Sequence, residues 1–142
     1  DPVRDRVLVI DQFRFGVFLR GDPLPWSLEP VAGRIDPGAA PEDAARREAK
    51  EEAGLDIREV HSVGRYYPSP AGVTEWLASY VGIADLPDDA AGVGGVEDEH
   101  EDIVSHVIPF DRLMALVESG EAANAPLLLT AYWRALHRTK LA

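Results

Sequence analysis

The first forty residues alternate short apolar runs with turn-forming positions. Residues 6–10 and 13–19 are rich in β-branched and aromatic side chains, which predicts two strands. A turn-like start at residue 23 leads into further apolar positions, and we predict a short strand there that ends at Gly33. Proline and glycine in the segment 34–38 then predict a turn before the next element.

The clearest helix signal covers residues 41–53. Pro41 suits the first turn of a helix, and the acidic residues Glu42 and Asp43 favour the positive end of the helix dipole. Strong helix formers fill the rest of the segment, and Gly54 stands where a helix commonly ends in a left-handed residue. We therefore predict a helix with these bounds.

Three more strands and two more helices are predicted in the remainder of the chain. The strands cover residues 59–67, 74–84 and 103–110, and the helices cover residues 111–120 and 124–138. A turn at 68–72 and an acidic, glycine-rich loop at 85–100 separate the strands, while Asp111 and Asn124 are expected to cap the helices. This order predicts an α/β fold, an α/β/α sandwich around a mixed sheet.

Composition narrows the classes of function. The chain has 142 residues, the size of one domain, and its 46% hydrophobic residues suffice for a buried core. It has no apolar run of 18 residues, so we expect no membrane span. The net charge of −11 argues against nucleic acid and against anionic membranes as partners. Cysteine is absent, which excludes a thiolate nucleophile and fits a reducing, cytoplasmic location.

Three glutamates crowd the end of the predicted helix. Glu48 and Glu52 are one turn apart and share a face, and Glu51 borders that face. Like charges at this spacing repel by about 0.2–0.5 kcal/mol per pair on an isolated helix. Either the residues form a solvated surface, paired with Arg46, Arg47 and Lys50, or they bind a divalent cation. Mg²⁺ prefers oxygen ligands, and two carboxylates one turn apart leave positions for phosphate oxygens and water.

Residues 33–55, GRIDPGAAPEDAARREAKEEAGL, resemble the signature box of Nudix hydrolases. The box positions that match are Gly33, Arg47, Glu48, Ala49, Glu51, Glu52, Gly54 and Leu55. One position departs from the box, since Ala39 stands where the family has its first glutamate. In the family that glutamate braces the box arginine, so Arg47 is expected to lack its usual partner, and Glu51 is the substitute we expect.

Segments outside the box resemble the ADP-ribose pyrophosphatase branch of that family. Pro70 follows the box at the branch's usual distance, and Ser69 and Glu75 match substrate-binding positions. QFRFG at 12–16 resembles a segment whose arginine contacts phosphate, which implies Arg14. The segment 25–33 resembles one whose alanine carbonyl is a metal ligand, which implies Ala32.

The resemblance also implies a ligand set and a base. Glu48 and Glu52 are the expected metal ligands, together with Glu101 from the segment EHEDI. Glu99 of the same segment matches the proposed general base, and Glu51 is the alternative base. Two or three Mg²⁺ ions per site are implied, with Mn²⁺ as a substitute.

The activity implied is hydrolysis of ADP-ribose to AMP and ribose 5-phosphate by a single Nudix hydrolase domain over residues 1–142. Members of the branch usually have an N-terminal strand region that swaps across a homodimer and helps to hold the adenine. That region is not recognised here, whereas a homodimer is still expected. The alternatives are another nucleoside-diphosphate-sugar pyrophosphatase and a Nudix-fold module that binds nucleotide without hydrolysing it, the latter because of Ala39.

Overall fold

A computed structural model describes residues 1–94 and 102–141 of the chain. Its strands are β1 (Arg6–Phe13), β2 (Trp26–Glu29), β3 (Glu59–Tyr66), β4 (Leu77–Ile83), β5 (Val93–Gly94) and β6 (Ile103–Pro109). Its helices are α1 (Phe15–Leu19), α2 (Pro41–Ala53), α3 (Phe110–Ser119), α4 (Ala125–Leu136) and α5 (Arg138–Leu141). No helix in these ranges is both long and apolar enough to cross a membrane.

The strands form two antiparallel sheets. The larger sheet has the order β2-β1-β6-β5, and β3 pairs with β4 in a sheet of two strands. The α/β class is confirmed, whereas the sequence predicted one mixed sheet. Within the described ranges each strand pairs antiparallel with its neighbours. For β3 and β4, the connection between the two strands is too short for a parallel crossover.

Two of the predicted strands differ most from the structure. Residues 15–19, predicted as a strand, form α1, in which Phe18 N–H donates to the Arg14 carbonyl at 3.0 Å. Short apolar runs do not distinguish a strand from a helix, which explains this error. Strand β2 ends at Glu29 rather than at Gly33, because Pro30 has no N–H to continue the ladder.

Helix α2 has the bounds that the sequence predicts. It begins at Pro41, ends at Ala53 and is followed by Gly54 in the left-handed conformation, with φ of 66°. Asn124 caps α4 as predicted, accepting a bond of 3.0 Å from Leu127 N–H. Helix α3 begins one residue earlier than predicted, so Asp111 lies inside its first turn and does not cap it.

A buried cluster joins β1 to α3 and α4. It consists of Val9, Phe110, Leu113, Val117, Ala122, Leu127 and Ala131. Ile10 and Ile103 are equally buried on the opposite face of the sheet, since adjacent residues of a strand point to opposite sides. Helix α2 contacts β5 and β6 of the larger sheet and β4 of the smaller one, so it connects the two sheets.

An ionic cluster ties the start of β1 to the C-terminal helices. Arg134 is buried and donates from Nη2 to Asp5 Oδ1 at 2.9 Å, with its guanidinium 4.9 Å from the centre of the Phe110 ring. Burial lowers the pKa of Arg134, and Asp5 opposes that shift. Arg138 binds Asp5 as well, and Asp111 at 2.7 Å. Asp5 is thus the shared acceptor of two arginines.

Candidate active site

The three glutamates near the end of α2 differ in their exposure to solvent. Glu52 is 4% exposed, and the side chain of Glu48, one turn earlier, is 14% exposed. The side chain of Glu51 is 45% exposed and points away from the interior. An all-solvated surface is therefore the wrong description, because two of the three carboxylates are largely removed from water. Such burial costs free energy unless the charge is compensated.

The chain segment after β2 crosses this acidic face. Ala32 N–H donates to Glu52 Oε2 at 3.3 Å. The carboxylate of Glu48 lies directly against Gly33, where a Cβ atom would come within 3.0 Å of all three carboxylate atoms. Only glycine leaves room for Glu48 in this position. The segment 32–33 therefore fixes the location of both glutamates.

Arg47 links the acidic face to the loop that precedes α2. It donates from Nη2 to Glu48 Oε1 at 2.6 Å and to the Arg34 carbonyl at 2.8 Å, and from Nη1 to Asp36 Oδ2. Its Nε lies 3.5 Å from Glu51 Oε2, an ion pair without a hydrogen bond. The hydrogen bond to Glu48 raises the pKa of Arg47, and the charge of Asp36 adds to the increase.

Two cavities adjoin the helix. The larger has a volume of about 720 Å³ and is lined by Ala32, Gly33 and Glu48 as well as by Glu75 and largely apolar residues of β4. This volume falls within the roughly 300–1,000 Å³ that is usual for small-molecule sites. The second cavity, of about 340 Å³, is lined by Glu51 and Glu52 together with residues before β5 and in β6. Glu48 therefore lines one cavity, and Glu51 and Glu52 line the other.

A family model described as the NUDIX domain matches residues 2–130. The chain belongs to the NUDIX family. The resemblance that the box residues carry is thereby confirmed.

The relatives of this NUDIX chain include enzymes named for two substrates. It is 40% identical to the ADP-ribose pyrophosphatase of Escherichia coli (strain K12) over 141 residues, which are 99% of this chain and 66% of that protein. The ADP-ribose pyrophosphatase of Haemophilus influenzae is 31% identical, over 99% of this chain and 65% of that protein. The GDP-mannose pyrophosphatase of Salmonella choleraesuis is 35% identical, over 96% and 71%. The chain thus spans about two thirds of the length of these relatives.

A solved structure shares the fold. The crystal structure of an ADP compounds hydrolase matches with a TM-score of 0.70 and 23% identity, over 94% of this chain and 68% of that one. At this identity the likeness establishes the fold alone.

The residues expected to bind metal in this NUDIX chain lie in two adjacent elements. Glu48 and Glu52 are on α2, and Ala32 is in the segment hydrogen-bonded to Glu52. No group of three or more acidic, histidine or cysteine side chains that could hold a metal occurs in the ranges 1–94 and 102–141. Two carboxylates with a backbone carbonyl nevertheless form an oxygen-only set, which suits a hydrated Mg²⁺ completed by substrate phosphates. Glu101, the fourth expected ligand, and Glu99, the expected base, lie outside the described residues.

Arg14, the expected phosphate ligand, is paired with an acidic residue. Its Nε and Nη2 donate to the two carboxylate oxygens of Glu29 at 2.8 and 2.6 Å. Glu29 is buried, whereas the Arg14 side chain is 43% exposed. This bidentate pair holds the guanidinium in one orientation. A phosphate contact by Arg14 stays a prediction.

The loop between β3 and β4 separates the three residues expected to bind substrate. Glu75 lines the larger cavity with Glu48. Ser69 and Pro70 are exposed nearer the tip, where the Ser69 carbonyl accepts from Gly72 and Val73 N–H at 3.1 Å. Glu75 and Glu48 therefore line the same cavity, while Ser69 and Pro70 are not among the residues that line either cavity.

Two acidic residues of the site were missed in the sequence. Asp36 binds Arg47, and its signal was a carboxylate in the turn just before the helix. Glu29 binds Arg14, and its signal was an acid at the end of a short strand, directly before a proline. The charge of both residues is evident in the sequence, but Asp36 lies 11 residues from Arg47 and Glu29 lies 15 residues from Arg14. Such pairings depend on the tertiary fold.

Proposed function

We propose that this NUDIX chain hydrolyses the pyrophosphate bond of ADP-ribose, with a divalent cation such as Mg²⁺, to give AMP and ribose 5-phosphate. The observation that carries the proposal is the pair of carboxylates formed by buried Glu52 and largely buried Glu48, which lie against residues 32–33, with Glu48 beside a cavity of about 720 Å³. The relatives named ADP-ribose pyrophosphatase support the choice of substrate.

The cation site would be formed by Glu48, Glu52 and the carbonyl of Ala32. When bound, the metal would polarise the phosphoryl oxygens and lower the pKa of the attacking water. Arg47 already donates a hydrogen bond to Glu48, and the metal would add positive charge that offsets the repulsion between the neighbouring carboxylates and an anionic substrate. Glu101 would complete the ligand set.

Residues around this site would orient the substrate and move the proton. Arg47 fixes Glu48 by the hydrogen bond of 2.6 Å, which keeps that carboxylate in one position. Glu29 orients the guanidinium of Arg14. That guanidinium would donate hydrogen bonds to a substrate phosphate while it stays paired with Glu29. Glu75 would contact the substrate from the cavity wall, and Ser69 and Pro70 from the same loop. Glu99 would accept the proton of the attacking water, with Glu51 as the alternative base.

GDP-mannose is the second candidate substrate, because a GDP-mannose pyrophosphatase is 35% identical over 96% of the chain. A panel of ADP-ribose, GDP-mannose and UDP-glucose with Mg²⁺, read by chromatography of the released nucleotides, decides between them. The proposal predicts the highest kcat/KM with ADP-ribose and AMP as the nucleotide product. Preference for GDP-mannose would contradict the substrate, and tight binding of ADP-ribose without AMP release would indicate a binding module. The homodimer and the cytoplasmic location stay predictions.

A further inference from the structure

We propose that Asp36 is a positioning residue that braces Arg47 in place of the box glutamate, whose position is occupied here by Ala39. This inference rests on the proposed function, since it concerns how the same site holds its metal ligand Glu48. The inference predicts that Asp36 compensates for the glutamate that Ala39 replaces in the Nudix box.

The turn before α2 brings position 36 to the arginine. Ala39 N–H donates to the Asp36 carbonyl at 3.0 Å, and Gly38 at the third position has φ of 86°. With Pro37 at the second position, these features match a type II turn. The turn places the first and last of its four residues side by side. A carboxylate at position 36 can therefore bind the same arginine that a glutamate at position 39 would bind.

Arg47 then transmits this contact to the metal ligand. Nη1 donates to Asp36, and Nη2 donates to Glu48 at 2.6 Å and to the Arg34 carbonyl at 2.8 Å. Because the guanidinium is planar and rigid, fixing Nη1 also fixes the direction in which Nη2 points. Asp36 thereby restricts the carboxylate of Glu48 without contacting it.

Glu51 is the other acid beside Arg47, and it is the weaker brace. Its Oε2 lies 3.5 Å from Nε, beyond the usual hydrogen-bond length, and its side chain is 45% exposed. Asp36 makes a direct hydrogen bond to the same guanidinium. Among the residues that the structure describes, Asp36 and Glu51 are the acids beside Arg47 in addition to Glu48, and of these two Asp36 forms the hydrogen bond.

The test uses Asp36→Asn, Ala39→Glu and the double variant, each prepared free of metal. Mn²⁺ affinity is measured by calorimetry, and kcat and KM are measured with ADP-ribose and Mg²⁺. Partners that orient metal ligands typically contribute about 10–100-fold to affinity or activity. Asp36→Asn is therefore expected to weaken Mn²⁺ binding and to lower kcat by about tenfold each, with KM nearly unchanged. Ala39→Glu in that background is expected to restore both, because it returns a carboxylate to the turn.

Asp56→Asn is the matched control. Asp56 is an exposed aspartate just after α2 that pairs at 2.8 Å with Lys50 of that helix, and it forms no hydrogen bond or ion pair with Arg47. The substitution removes a surface ion pair of the same kind, and it is expected to leave Mn²⁺ affinity and kcat unchanged. Thermal unfolding of all variants separates a local effect from loss of the fold.

Two results would overturn the inference. One is a Mn²⁺ affinity unchanged by Asp36→Asn, and the other is a double variant that stays as weak as Asp36→Asn. Failure of the proposed function has a different signature, since the unsubstituted protein would then release no AMP. In that case the Mn²⁺ titrations alone still show whether Asp36 and a glutamate at position 39 are interchangeable.

Discussion

Replacement of Gly33 by alanine tests how closely residues 32–33 fix Glu48, a proposed metal ligand. The backbone of Gly33 is not left-handed, so alanine is compatible with its conformation. The new methyl group would meet the carboxylate of Glu48 at less than 3.0 Å, a distance that real Cβ atoms essentially never show. Something must move, and the freest group is the end of the Glu48 side chain.

The expected effect falls on catalysis rather than on stability. The Glu48 carboxylate must retreat by about 1 Å or more, and a displacement of that size costs roughly 100-fold in rate when it misplaces reacting groups. This corresponds to about 2.7 kcal/mol of lost transition-state stabilisation. A Gly→Ala change at a compatible site alters the free energy of unfolding by only about 0.4–1 kcal/mol, usually upward.

The assay measures kcat with ADP-ribose, Mn²⁺ affinity and urea unfolding for Gly33→Ala. Gly64→Ala is the matched control, because a Cβ on Gly64 meets no atom within 4 Å and its backbone is not left-handed. We expect the control to retain full activity. The steric reasoning would be refuted if Gly33→Ala kept the kcat and Mn²⁺ affinity of the unsubstituted protein, or if it lost activity only by unfolding.

Three further predictions concern the ligands and the scaffold. Glu52→Gln should lower kcat by about 100-fold or more, since it removes a ligand charge, and circular dichroism should show that the fold is retained. The control is Glu42→Gln on the exposed side of the same helix, and equal activity of the two variants would contradict the assignment of Glu52. Asp5→Asn should lower the free energy of unfolding in urea by about 2 kcal/mol, because buried Arg134 loses its charged partner. Asparagine tolerates the positive φ of 49° at this position, so the backbone conformation is kept. A loss below about 0.5 kcal/mol would mean that the ion pair contributes little to stability. Dialysis against EDTA should abolish AMP release and added Mg²⁺ should restore it, whereas full activity of the metal-free protein would exclude a metal requirement.

The sequence predicted the elements that carry strong local signals. Helix α2 was correct at both ends because proline, acidic first-turn residues and Gly54 act within a few residues of one another. The box motif also placed Glu48 and Glu52 on one helix, which the structure confirms.

Features that depend on tertiary contacts were harder to predict from the sequence. Residues 15–19 have apolar side chains at nearly every position, so their periodicity favours neither a helix nor a strand. The pairing of Arg14 with Glu29 links the residue between β1 and α1 to the end of β2, and that of Arg47 with Asp36 links a helix to a turn. The sequence predicted Glu51 as the substitute partner of Arg47, whereas the structure has a hydrogen bond from Arg47 to Asp36 and a longer ion pair with Glu51.

Uptake of a divalent cation by the acidic face of α2 is the most direct test of the proposed mechanism. Electron paramagnetic resonance of Mn²⁺ added to metal-free protein, with AMP present, reports the bound fraction. We predict saturable binding to the unsubstituted protein and its loss in Glu48→Gln/Glu52→Gln. Equal binding by both proteins, or none by either, would contradict the assignment of these two carboxylates as the metal site.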